Sequence, residues 1–267
     1  MLAVDAAMHM LQGHRSRGLV RSCSQRLTGS KPLTWFASAG LLKQLNFQAM
    51  TESSITQSLY SPPQFTSRDW ALACTLLREH ALASVVSVDG SGRPFISHVP
   101  LHTTEVSTAN DWRILGHVAN ANPHCALLHT QPQALVTVMG PQAYMSPCVY
   151  PDKQRVPTWN YVALHVCVRV RVLTEPEAKD ALIKQLIADH EPAYAAQWRE
   201  LPDNYTQAML RAITGFELCV ESWQLKIKLN QHRPEAAQTM VAQYDSGSEA
   251  QRGVVTWLQR WHGSTDH

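Results

Sequence analysis

The 267-residue chain has no long apolar run: its longest apolar stretches are of strand length and are broken by Arg169, Arg171 or His165, far short of the roughly 20 residues that a spanning helix requires. No transmembrane segment and no membrane role are expected. Paired cysteines are missing too. Cys23, Cys74, Cys125, Cys148, Cys167 and Cys219 lie far apart, with no CxxC and no Cys/His spacing of the kind that structural zinc needs, so they read as thiols in a reducing cytoplasm. No GxGxxG follows a strand pattern and no GxxxxGK(S/T) occurs, which argues against a Rossmann dinucleotide site and a P-loop. There is no GxSxG elbow, and the 13 histidines contain no HExxH, so neither a hydrolase nucleophile nor a metal is assigned.

What is present divides into two parts of different character. Residues 1–50 carry Arg15, Arg17, Arg21, Arg26, Lys31 and Lys43 against one acid, Asp5, with scattered Ser and Gly and no sustained period. That composition resembles a transit peptide or a disordered basic arm, and we read residues 1–58 as an extension and 59–267 as one domain. The division matters for charge. The whole chain is +2, yet residues 51–267 hold 17 basic and 20 acidic side chains, a mildly acidic balance with no sign of the basic face that phosphate neutralisation on DNA requires. An apolar fraction of 45% is enough for a proper core.

Periodicity places the elements of the domain. Thr66 is a candidate N-cap for a helix over 67–80, with Trp70, Ala73, Leu76 and Leu77 at helical spacing. Strands follow over 83–88 and 94–101, joined by the turn Asp89-Gly90-Ser91-Gly92, and a third over 112–118. Asn122-Pro123 starts a short helix that ends near Thr130, and Gly140-Pro141 separates strands over 135–139 and 143–150. The longest strand is expected over 161–173. It carries Val162, Leu164, Val166, Val168, Val170 and Val172 on one face, and on the other His165, Cys167, Arg169 and Arg171, a polar face that must meet solvent, a ligand or a partner. Helices over 175–190, with a stripe of Ala178, Ala181, Leu182 and Leu186, and over 204–212 precede a last strand over 215–222, a basic strip at Leu225-Lys226-Ile227-Lys228-Leu229-Asn230-Gln231, which is a solvated loop or else touches a phosphate or a partner chain, and a helical tail over 234–261. About six hairpin-linked strands with short helices indicate a mainly β, α+β fold with an antiparallel barrel.

Three runs could carry a site. The segment from Gly116 to Pro123 lies where a strand gives way to a helix, so free backbone N–H groups, with His117 and Asn120, could receive a phosphate; equally, Asn122 is a plain helix cap and His117 a satisfied rim histidine. Thr158, Trp159, Asn160 and Tyr161 offer a hydroxyl, an indole, an amide and a phenol for a flat polar-edged ring, or else belong to a core or a dimer interface. His98, Val99, Pro100 and Leu101 end a strand at a proline, which suits an edge whose backbone amides remain free for a ligand or are protected against aggregation.

Six runs in order, Tyr60-Ser61-Pro62-Pro63-Gln64-Phe65, His98-Val99-Pro100-Leu101, Gly116 to Pro123, Gly140 to Pro147, Val156 to Tyr161 with His165, and Lys228-Leu229-Asn230-Gln231, resemble the PaiB-type family of FMN-binding negative transcriptional regulators. The resemblance implies a split β-barrel of the pyridoxamine-phosphate-oxidase and flavin-reductase kind, a homodimer with FMN at the subunit interface. It implies that His98, Val99, Pro100 and Leu101 line the isoalloxazine, that His117, Asn120 and Asn122 receive the phosphate, and that Thr158, Trp159, Asn160 and Tyr161 close the site. Fold analogy does not fix function. The readings that follow are a regulator with DNA contacts made directly or through a partner, a flavin-dependent oxidoreductase using NAD(P)H on a small substrate, and a barrel that binds heme or no cofactor. No helix-turn-helix, zinc finger or basic stripe appears in the folded part.

Overall fold

Alternation of apolar and polar residues runs through much of two strands of 16 residues in the second half of the chain, Thr158–Leu173 and Ile213–Lys228, with a register shift at Glu221 in the second, and these form the centre of the sheet. The computed structural model describes residues 58–104 and 107–264. The expected N-terminal extension lies outside the described residues, apart from Ser58 at its end.

In chain order the strands are β1 (Thr66–Ser67), β2 (Leu82–Val88), β3 (Pro94–Pro100), β4 (His102–Thr103), β5 (Arg113–Ala119), β6 (Gln133–Met145), β7 (Thr158–Leu173) and β8 (Ile213–Lys228). The helices are α1 (Trp70–Glu79), α2 (His124–Thr130), α3 (Pro176–His190), α4 (Ala195–Glu200), α5 (Asp203–Arg211), α6 (Ala237–Asp245) and α7 (Glu249–Gly263). Every pairing is antiparallel and the order is β3-β2-β6-β7-β8-β5-β4, with β1 added to β8. β3 and β4 therefore stand at opposite ends of that order although only Leu101 separates them in the chain. A one-residue link between the two ends rolls the sheet into a barrel, and β3 and β5 approach each other across the seam without pairing. This is the mainly β, split-barrel architecture with flanking helices.

The apolar face carries Val162, Leu164, Val166 and Val168 of β7 with Phe216, Leu218, Leu225 and Ile227 of β8, all buried, and α1 and α7 pack on β6 and β7. Gly140 marks the closest approach of α1, since a Cβ there would lie 2.5 Å from Leu76 Cδ1. α3 and α5 cover the other face around the start of β8, where Lys179 Nζ donates to the Ile213 carbonyl at 2.9 Å.

Several boundaries differ from the sequence reading. α1 starts at Trp70 because Asp69, not Thr66, is its cap: Asp69 Oδ1 accepts from the Leu72 N–H at 3.0 Å, while Thr66 pairs with Lys226 in the sheet. Gly140-Pro141 does not divide two strands. It forms a bulge between Met139 and Gln142, where a proline lacking its N–H is tolerated, and β6 runs through. β8 extends through Lys228, so the expected basic loop is strand for its first four residues. In α3 the buried residues are Leu182 and Ile187, and Ala181 is exposed. The C-terminal tail is two helices, with Ser248 and Gln251 forming a capping box at the start of α7. Among the described residues no helix is long and apolar enough to cross a membrane.

Candidate functional site

The seam between β3 and β5 has two lips, and both carry residues singled out in the sequence. On β3 the side chains alternate: Val99 is buried, whereas His98 is exposed and its Nδ1 lies 3.0 Å from Ser84 Oγ. Leu101 is buried at the joint, its N–H donating to the Ala81 carbonyl. On β5, Gly116 lets the strand close on that joint, since a Cβ there would meet Leu101 Cδ2 at 2.6 Å and the Phe216 ring at 2.7 Å. The turn after β5 is tied across the seam. Asn122 Oδ1 accepts from the His124 N–H at 2.9 Å, and Asn122 Nδ2 donates to Ser97 Oγ of β3 at 3.0 Å. His124 is buried between two hydroxyls, with Nδ1 2.9 Å from Ser97 Oγ and Nε2 2.9 Å from Ser87 Oγ. Asn120 reaches the other way, donating to the Arg211 carbonyl at 2.6 Å and accepting from Thr214 Oγ1 at 2.8 Å.

His117 differs from these neighbours. Its ring is half-buried, and its Nδ1 is fully buried with no partner. Burial, and behind it the nearby His102, pushes its pKa below the usual histidine value, so the neutral ring is favoured. His102 on β4 is 2% exposed; its Nδ1 lies 2.8 Å from Asp189 Oδ2 of α3, its ring meets His190 edge-on, and its Nε2 has no partner. Burial again lowers the pKa, against the opposing pull of Asp189. A cleft of about 130 Å3 lined by Arg78, Leu101, His102, Asp189 and His190 opens beside it.

The third predicted run lies elsewhere. His98 shares a cross-strand row with Ser84, Thr137, His165 and Gln224, and Trp159 lies six residues before His165 in β7, a separation of about 20 Å at strand rise. Trp159 is 46% exposed, donates from Nε1 to Gln142 Oε1 at 3.0 Å and meets Tyr144 edge-on. Tyr161 faces the same way, with Lys226 Nζ 5.1 Å and Lys228 Nζ 6.0 Å from its ring centroid. Thr158 Oγ1 accepts from Lys228 Nζ at 2.6 Å. Asn160 points to the opposite face and is fully buried, its Nδ2 donating to Tyr244 Oη at 3.2 Å between the sulfurs of Met145 and Met240. One chain thus brings the runs from His98 to Leu101 and from His117 to Asn122 to the two lips of the seam and leaves the run from Thr158 to Tyr161 apart.

The sequence reading left Lys226 and Lys228 between a solvated loop and a contact with a phosphate or a partner chain. Their signal was the alternation of Leu225, Ile227 and Leu229 with the two lysines, the period of a strand with one face buried. Among the described residues no group of three or more His, Cys, Asp or Glu is placed to hold a metal. Cys74 is buried in the core, and burial pushes its thiol up to about 11.

Among solved structures, the flavocytochrome Anf3 from Azotobacter vinelandii is similar at 15% identity, with a TM-score of 0.48 over 62% of this chain and 70% of that one. A FAD and heme binding protein from Mycobacterium smegmatis is similar at 20% identity, with a TM-score of 0.46 over 61% and 73%. The protease synthase and sporulation protein PAI 2 of Bacillus subtilis is 29% identical over 178 residues, 66% of this chain and 84% of that protein. The family model described as "Putative FMN-binding domain" matches residues 59–222, more than half of the chain and including all three runs described above, so the chain belongs to this PaiB-type FMN-binding family, with FMN as its cofactor.

Proposed function

We propose that this protein is a PaiB-like negative transcriptional regulator of the cytoplasm that works as a homodimer with FMN bound at the seam between β3 and β5. The observation that carries the reading is the seam itself. Two strand edges face each other there without pairing, and the buried Nδ1 of His117 is left without a partner. Unpaired strand edges supply the backbone donors and acceptors that a flavin ring edge needs, and a buried orphaned nitrogen is a group that a ligand oxygen satisfies. In this reading His98, Val99, Pro100 and Leu101 line the isoalloxazine, and His117, Asn120 and Asn122 surround the phosphate. When bound, FMN supplies reversible electron or hydride transfer.

The second subunit completes the site. The polar face of β2, β3 and β6 leaves Leu82 68%, Val88 48%, Ile96 54% and Met139 53% exposed, an apolar area that a self-complementary contact would cover. Trp159 and Tyr161 of the partner subunit, with its Thr158, then close over the flavin. Asn160 acts from behind, its inward bonds holding β7 in the register that turns Trp159 and Tyr161 outward. Repression follows if flavin occupancy alters the dimer's fit to a partner that contacts DNA, or to DNA through the basic residues 1–50, since the rest of the chain is mildly acidic. Free thiols at the five described cysteines suit a reducing compartment.

The test is an FMN titration of the untagged full chain with absorption, released-ligand mass and light scattering. Stoichiometric FMN on a dimer, weakened about tenfold or more by Trp159→Ala and by His117→Ala, is the expected result. Salt-dependent retention of a promoter fragment supports the regulatory part, whereas NAD(P)H oxidation at a catalytically useful rate moves the protein to the oxidoreductases. Failure to bind flavin refutes the reading.

A further inference from the structure

Two lysines stand side by side on β8 with no carboxylate among the described residues to balance them. Lys226 is 5% exposed, and its Nζ donates to the Tyr60 carbonyl at 2.7 Å, 5.2 Å from the Tyr60 ring centroid and 5.1 Å from that of Tyr161. Lys228, two residues on and therefore on the same face, places its Nζ over the same Tyr161 ring and donates to Thr158 Oγ1. An ammonium has three donors, and each of these uses one on an oxygen among the described residues. Burying a cation without an anion is unfavourable, and a second cation beside it adds to the cost. Lys228 responds in the expected direction: burial, and then the charge of Lys226, hold its pKa below the usual lysine value.

The surroundings are built. Ser58 and Leu59 are fixed over this part of the sheet, their N–H groups donating to Gln224 Oε1 and the Ser58 carbonyl lying 2.8 Å from His165 Nδ1. The Gln231 side chain closes the end of β8, accepting from the Leu229 N–H and donating to the Ile227 carbonyl. The Thr158 hydroxyl, whose oxygen already accepts from Lys228, keeps its proton to donate. Two ammonium groups within about 6 Å of one ring centroid, the second of them bonded to a hydroxyl, match the several oxygens and double charge of a phosphate monoester better than a single carboxylate. The exposed Trp159, next to Thr158 in the chain, supplies a ring face for an attached base or flavin.

We propose that Lys226 and Lys228, with Thr158, form a binding site for the phosphate group of a phosphorylated aromatic ligand. This inference rests on the lysine pair and not on flavin binding at the seam. The phosphate comes either from FMN, an outcome that would move it away from His117, Asn120 and Asn122 and overturn that part of the proposed site, or from a separate nucleotide, and the experiment distinguishes these sources.

The probes are inorganic phosphate, AMP, FMN and riboflavin, titrated into the full chain at constant ionic strength, with wild type compared with Lys228→Gln and Lys228→Arg. Phosphate is expected to raise the melting temperature of wild type where chloride does not. Lys228→Gln should weaken phosphate binding by at least about tenfold and Lys228→Arg much less. If FMN loses the same factor while riboflavin loses nothing, the phosphate is that of FMN; if FMN is unaffected while AMP is weakened, a second nucleotide uses the site. Protection of Lys228 from an amine-reactive reagent by phosphate, read by mass spectrometry on the wild type, tests the site should a variant fail to fold. The proposal is overturned if phosphate stabilises wild type no more than chloride does, if Lys228→Gln binds phosphate as well as wild type, or if Lys228 is not protected.

Discussion

The two ends of β8 solve the same problem in opposite ways. Near its start, Glu217 is 8% exposed and is held between two guanidiniums, Arg113 Nη1 and Arg171 Nη2, each 2.9 Å from Oε1. Near its end, Lys226 and Lys228 share one aromatic ring and have no acid among the described residues. Strand, sheet face and neighbouring strand β7 are common to both, so backbone geometry does not account for the difference. The first cluster closes on itself and locks β5, β7 and β8 together. The second is complete only when something negative arrives.

Four experiments sharpen or break this contrast. The largest effect belongs to neither cluster but to the face beneath them, which is apolar from one end to the other. Phe216→Ala and Ile227→Ala should each cost about 2–5 kcal/mol in chemical denaturation, since both side chains are fully buried. Similar losses at the two ends place the asymmetry wholly on the polar face; a much smaller loss at Ile227 would mean that the lysine end is loosely packed as well as unbalanced.

Glu217→Gln is expected to destabilise by about 1–3 kcal/mol, because it leaves two arginines facing each other, with the loss limited by their partial exposure. An unchanged denaturation midpoint would show that the cluster contributes nothing and would remove the contrast.

Acidification probes both ends together, since His117 pairs with Gly215 and His165 with Gln224. Burial is the largest influence on His102, His117, His124 and His165, and it lowers each pKa from the ordinary value of 6.5. The native state therefore binds fewer protons than the unfolded chain as the pH falls through that value. Stability is fully present above about pH 6.5 and declines below it. The melting temperature should drop between pH 7 and pH 5, and less steeply in His124→Gln; a flat profile would contradict the burial of these rings.

The smallest effect is expected at Lys228. Without phosphate, Lys228→Gln should leave stability within about 0.5 kcal/mol of wild type, or raise it slightly by relieving Lys226. A loss as large as that of Glu217→Gln would make the lysine a structural element like the acid at the other end.

The sequence was legible where one physical signal acted alone. β7 could be read from its valines because alternation over 11 residues has no competing interpretation. The same parity, carried two residues back from Val162, assigns Asn160 to the apolar face, a consequence that the ligand-like look of Trp159-Asn160-Tyr161 conceals. β6 was harder because Gly140-Pro141 is a stop signal in local terms. Only the tertiary approach of Leu76 explains the glycine and only the bulge accommodates the proline. Lys226 and Lys228 could be placed by alternation, but the absence of an acid beside them depends on Thr66, Tyr60 and Tyr161 being their neighbours, which are pairings over long sequence distances. The seam was visible only through its motifs, since nothing local in Val99-Pro100-Leu101 says that the far edge of the sheet lies one residue away.

The one-residue joint at Leu101 also sets an order of events in folding. The β2–β3 hairpin is local and can form early, but β4 rests on β5, and β5 has its other neighbour in β8, about 100 residues later in the chain. During synthesis the segment following Leu101 must therefore wait for the last strand before it has a complete partner. The ring closes late, over a long loop, and the protein should be slow to fold for its size and most exposed to mispairing along the edges of β3 and β5 until β8 arrives.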